Sequence, residues 1–283
     1  MSERLSSMTH GRQQMKIYAA GQLGSERDTL ELAAFGGIDI NRVNLTPLNS
    51  IAAETQLPGL PFVFRSIEHM RMACDGPVGQ KILASLEPYG LIGLCFYDSG
   101  ARSIYNTKRA INSPDDLAGL KIRVQNSNLF VAMIEAFGAN PTPMNFGEVF
   151  QALAQGVIDG AENNWPSFET SRHYEIAHYY TRTEHVMAPE VLVMGAHAWK
   201  KLDQKDQEAV MTAARESVSV MRKLWDERVE RSRQLIIAAG VNVTELKSKK
   251  EFQEKMTPVY EHFLTPALQN LFQDIQDIPD EMD

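Results

Sequence analysis

The chemistry this sequence offers lies in arginines, asparagines and aromatics at the ends of strand-like segments. Leu120, Ile122 and Val124 alternate with Lys121, Arg123 and Gln125, the period-two signature of a strand with one apolar face. Arg123 falls on the polar face at the carboxyl end of that strand, just before a helix that Asn126 or Ser127 can cap. Open α/β sheets bind ligands outside the carboxyl ends of their strands, and helix N-termini favour anions. A guanidinium there suits a carboxylate, because its planar fork makes two parallel charge-assisted bonds. The same pattern also fits a surface or structural arginine, and the residues alone leave the two readings open.

Other constellations do not assemble into catalytic signatures. There is no GxSxG elbow, no GxxxxGK[ST] loop, no HExxH and no GxGxxG after a strand. His173, His178 and His185 are spaced by five and seven, which puts them on no common helical face, so no metal site is expected. Asp159 and Glu162 sit near a strand end as a candidate acid/base pair, with a hydrogen-bonded structural role as the competing reading. Cys74 and Cys95 are expected to be buried thiols, since two cysteines alone make no structural metal site.

The elements that must position these residues follow a strand-then-helix rhythm. Met15-Lys16-Ile17-Tyr18 reads as a strand; Ser25 caps a helix carrying Leu30, Leu32, Ala33 and Phe35, and Gly36-Gly37 stops it. Ile38 to Leu45 and Leu91 to Tyr97 read as strands, the second entering a turn at Asp98-Ser99-Gly100. Pro114 to Leu117 starts a short turn of helix, and Phe130, Met133, Ile134 and Phe137 form the stripe of a helix ended by Gly138. The rhythm predicts an α/β fold. Residues 33–39 and 153–159 echo each other, with Asn44 and Asn164 at the same offset, which suggests two similar lobes. From Asp203, Val210, Ala214, Val218, Met221, Trp225 and Val229 recur at helical spacing with nothing to break them before Gly240. Such a helix is roughly 50 Å long and is expected to pack on both lobes.

Composition sets the outer limits. A chain of 283 residues with 43% hydrophobic content suits two domains. Its 36 acidic and 28 basic residues give a net charge of −8, which makes nucleic acid a poor partner. No run of eighteen apolar residues is present to span a bilayer. Met1-Ser2-Glu3-Arg4-Leu5 lacks the basic-then-apolar pattern of a signal peptide. The acidic end, Asp274 to Asp283, is expected to be a solvated tail without the alternating ligands of a calcium loop.

Four segments then form one ordered block: Gly119-Leu120-Lys121-Ile122-Arg123-Val124, Gly138-Ala139-Asn140-Pro141-Thr142-Pro143-Met144, Gly147-Glu148-Val149, and Gly156-Val157-Ile158-Asp159-Gly160-Ala161-Glu162-Asn163. With Gly21-Gln22-Leu23-Gly24 and Pro61-Phe62-Val63-Phe64 before it, the chain resembles the DctP-like solute receptors of tripartite ATP-independent periplasmic (TRAP) transporters, from about Glu3 to about residue 265. The resemblance implies a two-lobed α/β, periplasmic-binding-protein-like fold of type II with crossover strands. It implies lobe I from 1–99 and 189–228, lobe II from 100–188 and 229–283, and a ligand cleft between them. It also implies hinge closure over an organic acid without catalysis, a periplasmic location, no cofactor or metal, and delivery of the ligand by a monomer to a membrane permease.

Carried over residue by residue, the family pattern makes Arg123 the carboxylate clamp and Arg102, in Gly100-Ala101-Arg102, a second cation, the two being expected unpaired without their anion. Asn126, Phe146 after Pro-x-Pro-Met, Asn163, His185 and Asn44 match further ligand positions. Phe146 can equally be core, His185 a satisfied structural histidine, and Asn44 and Asn126 caps or turns. Asn163-Asn164-Trp165-Pro166-Ser167-Phe168, Arg172-His173-Tyr174-Glu175 and Glu184-His185 resemble the subgroup that binds hexuronates, with Gln125 and Asn164 adding amides for sugar hydroxyls. Other sugar acids or small carboxylates are the second choice, and a sugar-acid lyase or isomerase using His185 with Glu162 or Glu184 the rival class. Family members begin with an exported leader, a first strand and the front of a helix. Residue 1 here falls within that helix, so a strand of lobe I is expected to be missing and a sheet edge exposed.

Overall fold

Residues 1–280 are described by a computed structural model built on two sheets. In chain order the strands are β1 (Ile40–Asn44), β2 (Leu91–Tyr97), β3 (Arg102–Asn106), β4 (Lys121–Val124), β5 (Asn140–Pro143), β6 (Gly160–Asn163), β7 (Tyr179–Val186), β8 (Glu190–Gly195) and β9 (Asn242–Thr244). The first sheet is antiparallel in the order β1–β8–β2, and the second is mixed, in the order β5–β4–β6–β3–β7–β9. Strand β4 runs parallel to β5 and β6, so the three end on one side, whereas β3 lies antiparallel between β6 and β7.

Strand β8 shows why the first sheet is buried on both faces. Its side chains alternate, sending Val191 and Val193 into the core beneath the helices of residues 26–84 and Leu192 and Met194 into a separate core under the long helix. That helix, Gln204–Ala238, is capped by the Asp203 side chain, which accepts from the Asp206 N–H. It packs on β2 of the first sheet and on the helix Trp165–Thr170 beside the second, so it spans both lobes as its periodicity predicts.

Two segments cross between the sheets side by side. Residues 98–101 lead from β2 to β3, and residues 187–189 return from β7 to β8, with β2 paired to β8 on one side and β3 to β7 on the other. Asp98 anchors the first crossing. Fully buried, it accepts from Arg71 Nε at 2.7 Å and Arg222 Nε at 3.2 Å. Arg71 also reaches Asp226, and Arg222 reaches Asp75, which ties the crossing to the helix Ile67–Asp75 and to the long helix.

Several local expectations hold. Ser25 and Asp28 form a reciprocal capping box at the start of the helix Glu26–Phe35, and Gly36 ends it in the left-handed region at φ +87°. Gly156, at φ +69°, ends the helix Val149–Ala154 in the same way before β6, so the sequence echo is a structural one. Both cysteines are free and buried.

Others need correction. Met15–Tyr18 forms no strand and Ile17 is 73% exposed, because no neighbouring strand among the described residues takes up its backbone hydrogen bonds. In the capped helix Leu30 and Ala33 face the core, whereas Leu32 and Phe35 face out. The acidic end is no free tail through most of its length. The helix Pro266–Gln276 buries Ile275, whose carbonyl meets His69 Nε2 at 3.1 Å, and Gln276 donates to the Val63 carbonyl. This helix packs on residues 53–59 and 77–84, which a division at residue 229 does not foresee. Residues 281–283 of the expected tail lie outside the described residues.

Replacing Asp98 with alanine leaves Arg71 with Asp226 and Arg222 with Asp75 but removes the buried acceptor that joins them, and is expected to cost about 1.5–3 kcal/mol. Urea unfolding monitored by circular dichroism checks this, and a loss well under 1 kcal/mol would mean that the crossing does not depend on Asp98.

Candidate functional site

The second sheet places two buried arginines near the ends of its strands, and their partners differ. Arg102, at the start of β3, is fully buried, and the neighbouring strand takes up four of its five N–H donors. Its Nε and Nη2 donate to the two carboxylate oxygens of Glu162 at 2.5 and 2.8 Å, Nη2 also to the Glu162 carbonyl, and Nη1 to Asn163 Oδ1 at 3.1 Å. The register of β3 against β6, with Ser103 opposite Asn163, brings these residues together. Burial opposes both charges, but mutual attraction wins: Arg102 is held above its ordinary pKa and Glu162 is pulled down to about 2. The expectation of two unpaired arginines is therefore corrected, because Arg102 already has its carboxylate.

Arg123 has none among the described residues. It is 3% exposed, and Nε and Nη2 both donate to a single acceptor, the Met144 carbonyl, at 3.0 and 2.8 Å. Two donors of Nη1 and one of Nη2 are left without a protein acceptor. Burial is the main force lowering its pKa, and Arg102 lowers it further against the pull of Glu162. Its guanidinium lies 5.8 Å from the centroid of the Phe146 ring, which is 39% exposed and so not core.

The remaining candidates sort by what their polar atoms already do. Asn163 spends Oδ1 on Arg102 and on the Asn164 N–H, leaving Nδ2 to donate. The Oε1 atom of Gln125 is buried without a partner among the described residues, an acceptor in need of a donor. Asn126 is exposed at the rim and donates to Asn145 Oδ1. Asn44, in the first lobe, holds a turn by accepting from the Thr46 N–H, while its own N–H donates to Glu26 Oε1 at 2.8 Å.

Two candidates are corrected to supporting roles. Asn164 caps the helix Trp165–Thr170 through Oδ1 and binds the Ser99 carbonyl through Nδ2 at 2.7 Å, so its amide ties that helix to the crossing segment and has nothing left for a ligand. His185 is completely buried behind Glu162, with Nδ1 on Thr183 Oγ1 at 2.7 Å and Nε2 3.5 Å from Glu162 Oε2. The rival acid/base pairs fail on the same geometry. Glu162 is locked as a carboxylate by Arg102, and Glu184 is held ionised by Lys249 and Arg182 against the effect of burial. Asp159 is occupied at the start of β6 by the Lys121 N–H. No cluster of three or more metal-binding side chains occurs among the described residues.

Sequence reasoning missed Glu26, whose position beside Ser25 reads only as a favourable helix start. Half-buried in the first lobe, it senses both Arg102 and Arg123, and its pKa is raised chiefly by burial, with Glu190 adding to it. Tyr105 and His173 were also missed as a pair: Tyr105 Oη lies 2.8 Å from His173 Nδ1, within a buried aromatic cluster that includes Phe168 and Tyr180.

A buried guanidinium with no carboxylate among the described residues, with amides and an exposed aromatic ring beside it, is an arrangement suited to holding an organic anion. The sequence pattern of bacterial extracellular solute-binding protein family 7, DctP, matches residues 1–266. A solute-binding protein of Chromohalobacter salexigens is 42% identical over 278 residues, which cover 98% of this chain and 83% of that protein. The solved structure of a TRAP periplasmic solute-binding protein from Bradyrhizobium sp. BTAi1, in complex with α/β-D-galacturonate, matches with a TM-score of 0.96 at 51% identity, covering 98% of this chain and 93% of the other. One from Roseobacter denitrificans with bound β-D-glucuronate matches at 0.95 and 40%, with coverage of 98% and 93%. The chain belongs to the DctP family of TRAP solute-binding proteins and has their two-lobed α/β fold.

Acid is expected to loosen this site in two stages. His173 is pushed from 6.5 down to about 4, first by burial and then by Arg123. Between those values the unfolded chain takes up a proton that the folded chain refuses, so stability falls as pH drops from 6.5 to 4. Glu162, at about 2 against an ordinary 4.5, keeps its contribution above 4.5 and loses it below. Melting temperatures should therefore decline below pH 6.5, and less steeply in His173→Phe than in the wild type.

Proposed function

We propose that this protein is the periplasmic receptor of a TRAP transporter, taking up a hexuronate such as galacturonate or glucuronate by closing its lobes and handing it unchanged to the membrane permease. It works as a monomer. Lobe I comprises residues 1–99 and 189–228 with the helix Pro266–Gln276, and lobe II the rest of 100–188 and 229–265. The observation that carries this reading is Arg123: a desolvated cation with one carbonyl for company is unfavourable until a carboxylate arrives.

The charge balance favours a monoanion. Arg102 and Glu162 cancel, which leaves Arg123 as a buried positive charge with no carboxylate partner among the described residues. Glu26 faces it from lobe I, offering an acceptor for hydroxyls and repelling a second carboxylate. A sugar acid with one carboxylate and many hydroxyls meets both demands, as does the partnerless Gln125 Oε1, which accepts from a hydroxyl. The galacturonate and glucuronate in the Bradyrhizobium and Roseobacter relatives support this choice. Other sugar acids share the same chemistry and form the next arm of the test, ahead of C4 dicarboxylates.

A thermal-shift screen against uronates, aldonates and dicarboxylates, followed by calorimetry and recovery of the ligand, tests the proposal. Ligand at a hundred times its Kd should add about 2.7 kcal/mol of stability. Turnover of the acid, or a preference for dicarboxylates, would contradict it. Arg123→Ala should cost about 3–5 kcal/mol of binding, roughly a hundredfold to several-thousandfold in Kd. Binding within about threefold of wild type would remove Arg123 as the clamp.

A further inference from the structure

One buried histidine beside Arg123 has an orientation that its neighbours dictate. His173 opens a short helical turn, His173–Glu175, after the helix Trp165–Thr170. The chain reaches it through Arg172 in the left-handed region at φ +60° and ψ 19°, a conformation a long side chain seldom adopts, and a two-bonded Arg172–Glu175 pair braces the turn. Strain of this kind is retained where the surroundings fix a side chain in one place. Here it turns the imidazole towards Phe146, edge-to-face at 5.5 Å, on the aromatic ring that also carries the Arg123 guanidinium.

The proton on that ring can be placed by elimination. Tyr105 is buried, and among the described residues its hydroxyl has a single partner, His173 Nδ1 at 2.8 Å. A buried O–H must donate, so Nδ1 accepts. The ring is neutral at ordinary pH, because burial and then the charge of Arg123 disfavour the imidazolium. A neutral ring that accepts at Nδ1 carries its hydrogen on Nε2. That N–H has no acceptor among the described residues and, unlike Nε2 of His185, is not sealed within the interior.

We propose that the His173 Nε2–H is a ligand-binding donor that takes an uncharged oxygen next to the carboxylate held by Arg123. That oxygen is the ring oxygen of a uronate or the α-hydroxyl of an open-chain sugar acid. The proposal rests on the sugar-acid reading of the cleft. The free donors of Arg123 occupy the carboxylate oxygens, so the next atom along the ligand is the one within reach of a neighbouring donor. Tyr105 is a positioning residue, acting only by fixing the tautomer.

A double-mutant cycle read by calorimetry with galacturonate and glucuronate tests this. His173→Phe should weaken binding about tenfold to a hundredfold, within the usual worth of a hydrogen bond whose loss leaves a buried partner unmade. His173→Gln, which keeps an N–H near the Nε2 position, should recover most of the loss. Tyr105→Phe should weaken binding several-fold in the wild type and have no effect in His173→Phe; that double variant also removes the orphaned hydroxyl, so its fold is not at risk. Long-range 15N–1H NMR of the free protein should show the Nε2–H tautomer, with its proton protected once galacturonate is added. An Nδ1–H tautomer, or uronate binding unchanged in His173→Phe, would overturn the proposal alone. Failure of the wild type to bind any sugar acid would overturn the sugar-acid reading, and this proposal with it.

Discussion

Burying a guanidinium without a counter-charge is among the less favourable things a fold can do, and the second sheet does it at Arg123, close enough to feel the charge of Arg102, an arginine that it pairs with a carboxylate. The contrast organises the site. Glu162 takes up the charge of Arg102, His185 backs Glu162, and Asn163 is oriented by Arg102 through its Oδ1. What remains is a single positive charge, set among donors and acceptors whose directions are already fixed. Such preorganisation lowers the entropy lost when a flexible polyol acid is immobilised. The free energy of binding also has a use beyond affinity: a ligand that contacts both lobes favours the arrangement in which they are close, and only that difference can drive closure.

The first lobe supplies what the second lacks. Glu26, tied to the turn at Asn44 by a hydrogen bond from the Asn44 N–H to its carboxylate, feels the charges of both arginines. Between the lobes, the paired crossing segments and the long helix limit the motion available. Asp98, gripped by arginines from two helices, fixes the first crossing at its root, and Asn164 binds the same segment at Ser99. Asn49 reaches over to Ser127 at the start of the helix Asn128–Ala136, a polar contact across the lobes at their flank. The joints are thus braced by ion pairs and hydrogen bonds, while one apolar cluster runs from Leu57 and Leu60 of the first lobe to Leu129 and Phe130 of the second.

How far the sequence reveals this depends on the range of the interaction. The alternation around Arg123 is local, and it gave the strand, its end and the arginine's place there. The cap at Ser25, the glycine stops at Gly36 and Gly156 and the span of the long helix were equally legible, because each follows from spacing within a few turns. The pairing of Arg102 with Glu162 was not, since it depends on the register of β3 against β6, two segments far apart in the chain. For the same reason Asn164 and His185 looked like ligand groups until their partners were seen. His173 stood in the segment that resembles the hexuronate subgroup, but its contact with Tyr105, 68 residues away in the chain, was not legible from spacing. Met15–Tyr18 has the pattern of a strand but no partner among the described residues, a reminder that alternation states a preference and pairing decides it.

The two thiols have a consequence of a different kind. Cys74 and Cys95 line one groove, between the helix Pro77–Ala84, β2 and the long helix, and burial raises both; Cys95 is pushed up to about 12. A thiol reacts as its thiolate, so at neutral pH both are inert while the lobe is intact. Their alkylation is therefore expected to be slow in the folded protein and to quicken with local opening of the lobe. A receptor that must stay rigid on one side while it closes on the other carries, in these two sulfurs, its own measure of that rigidity.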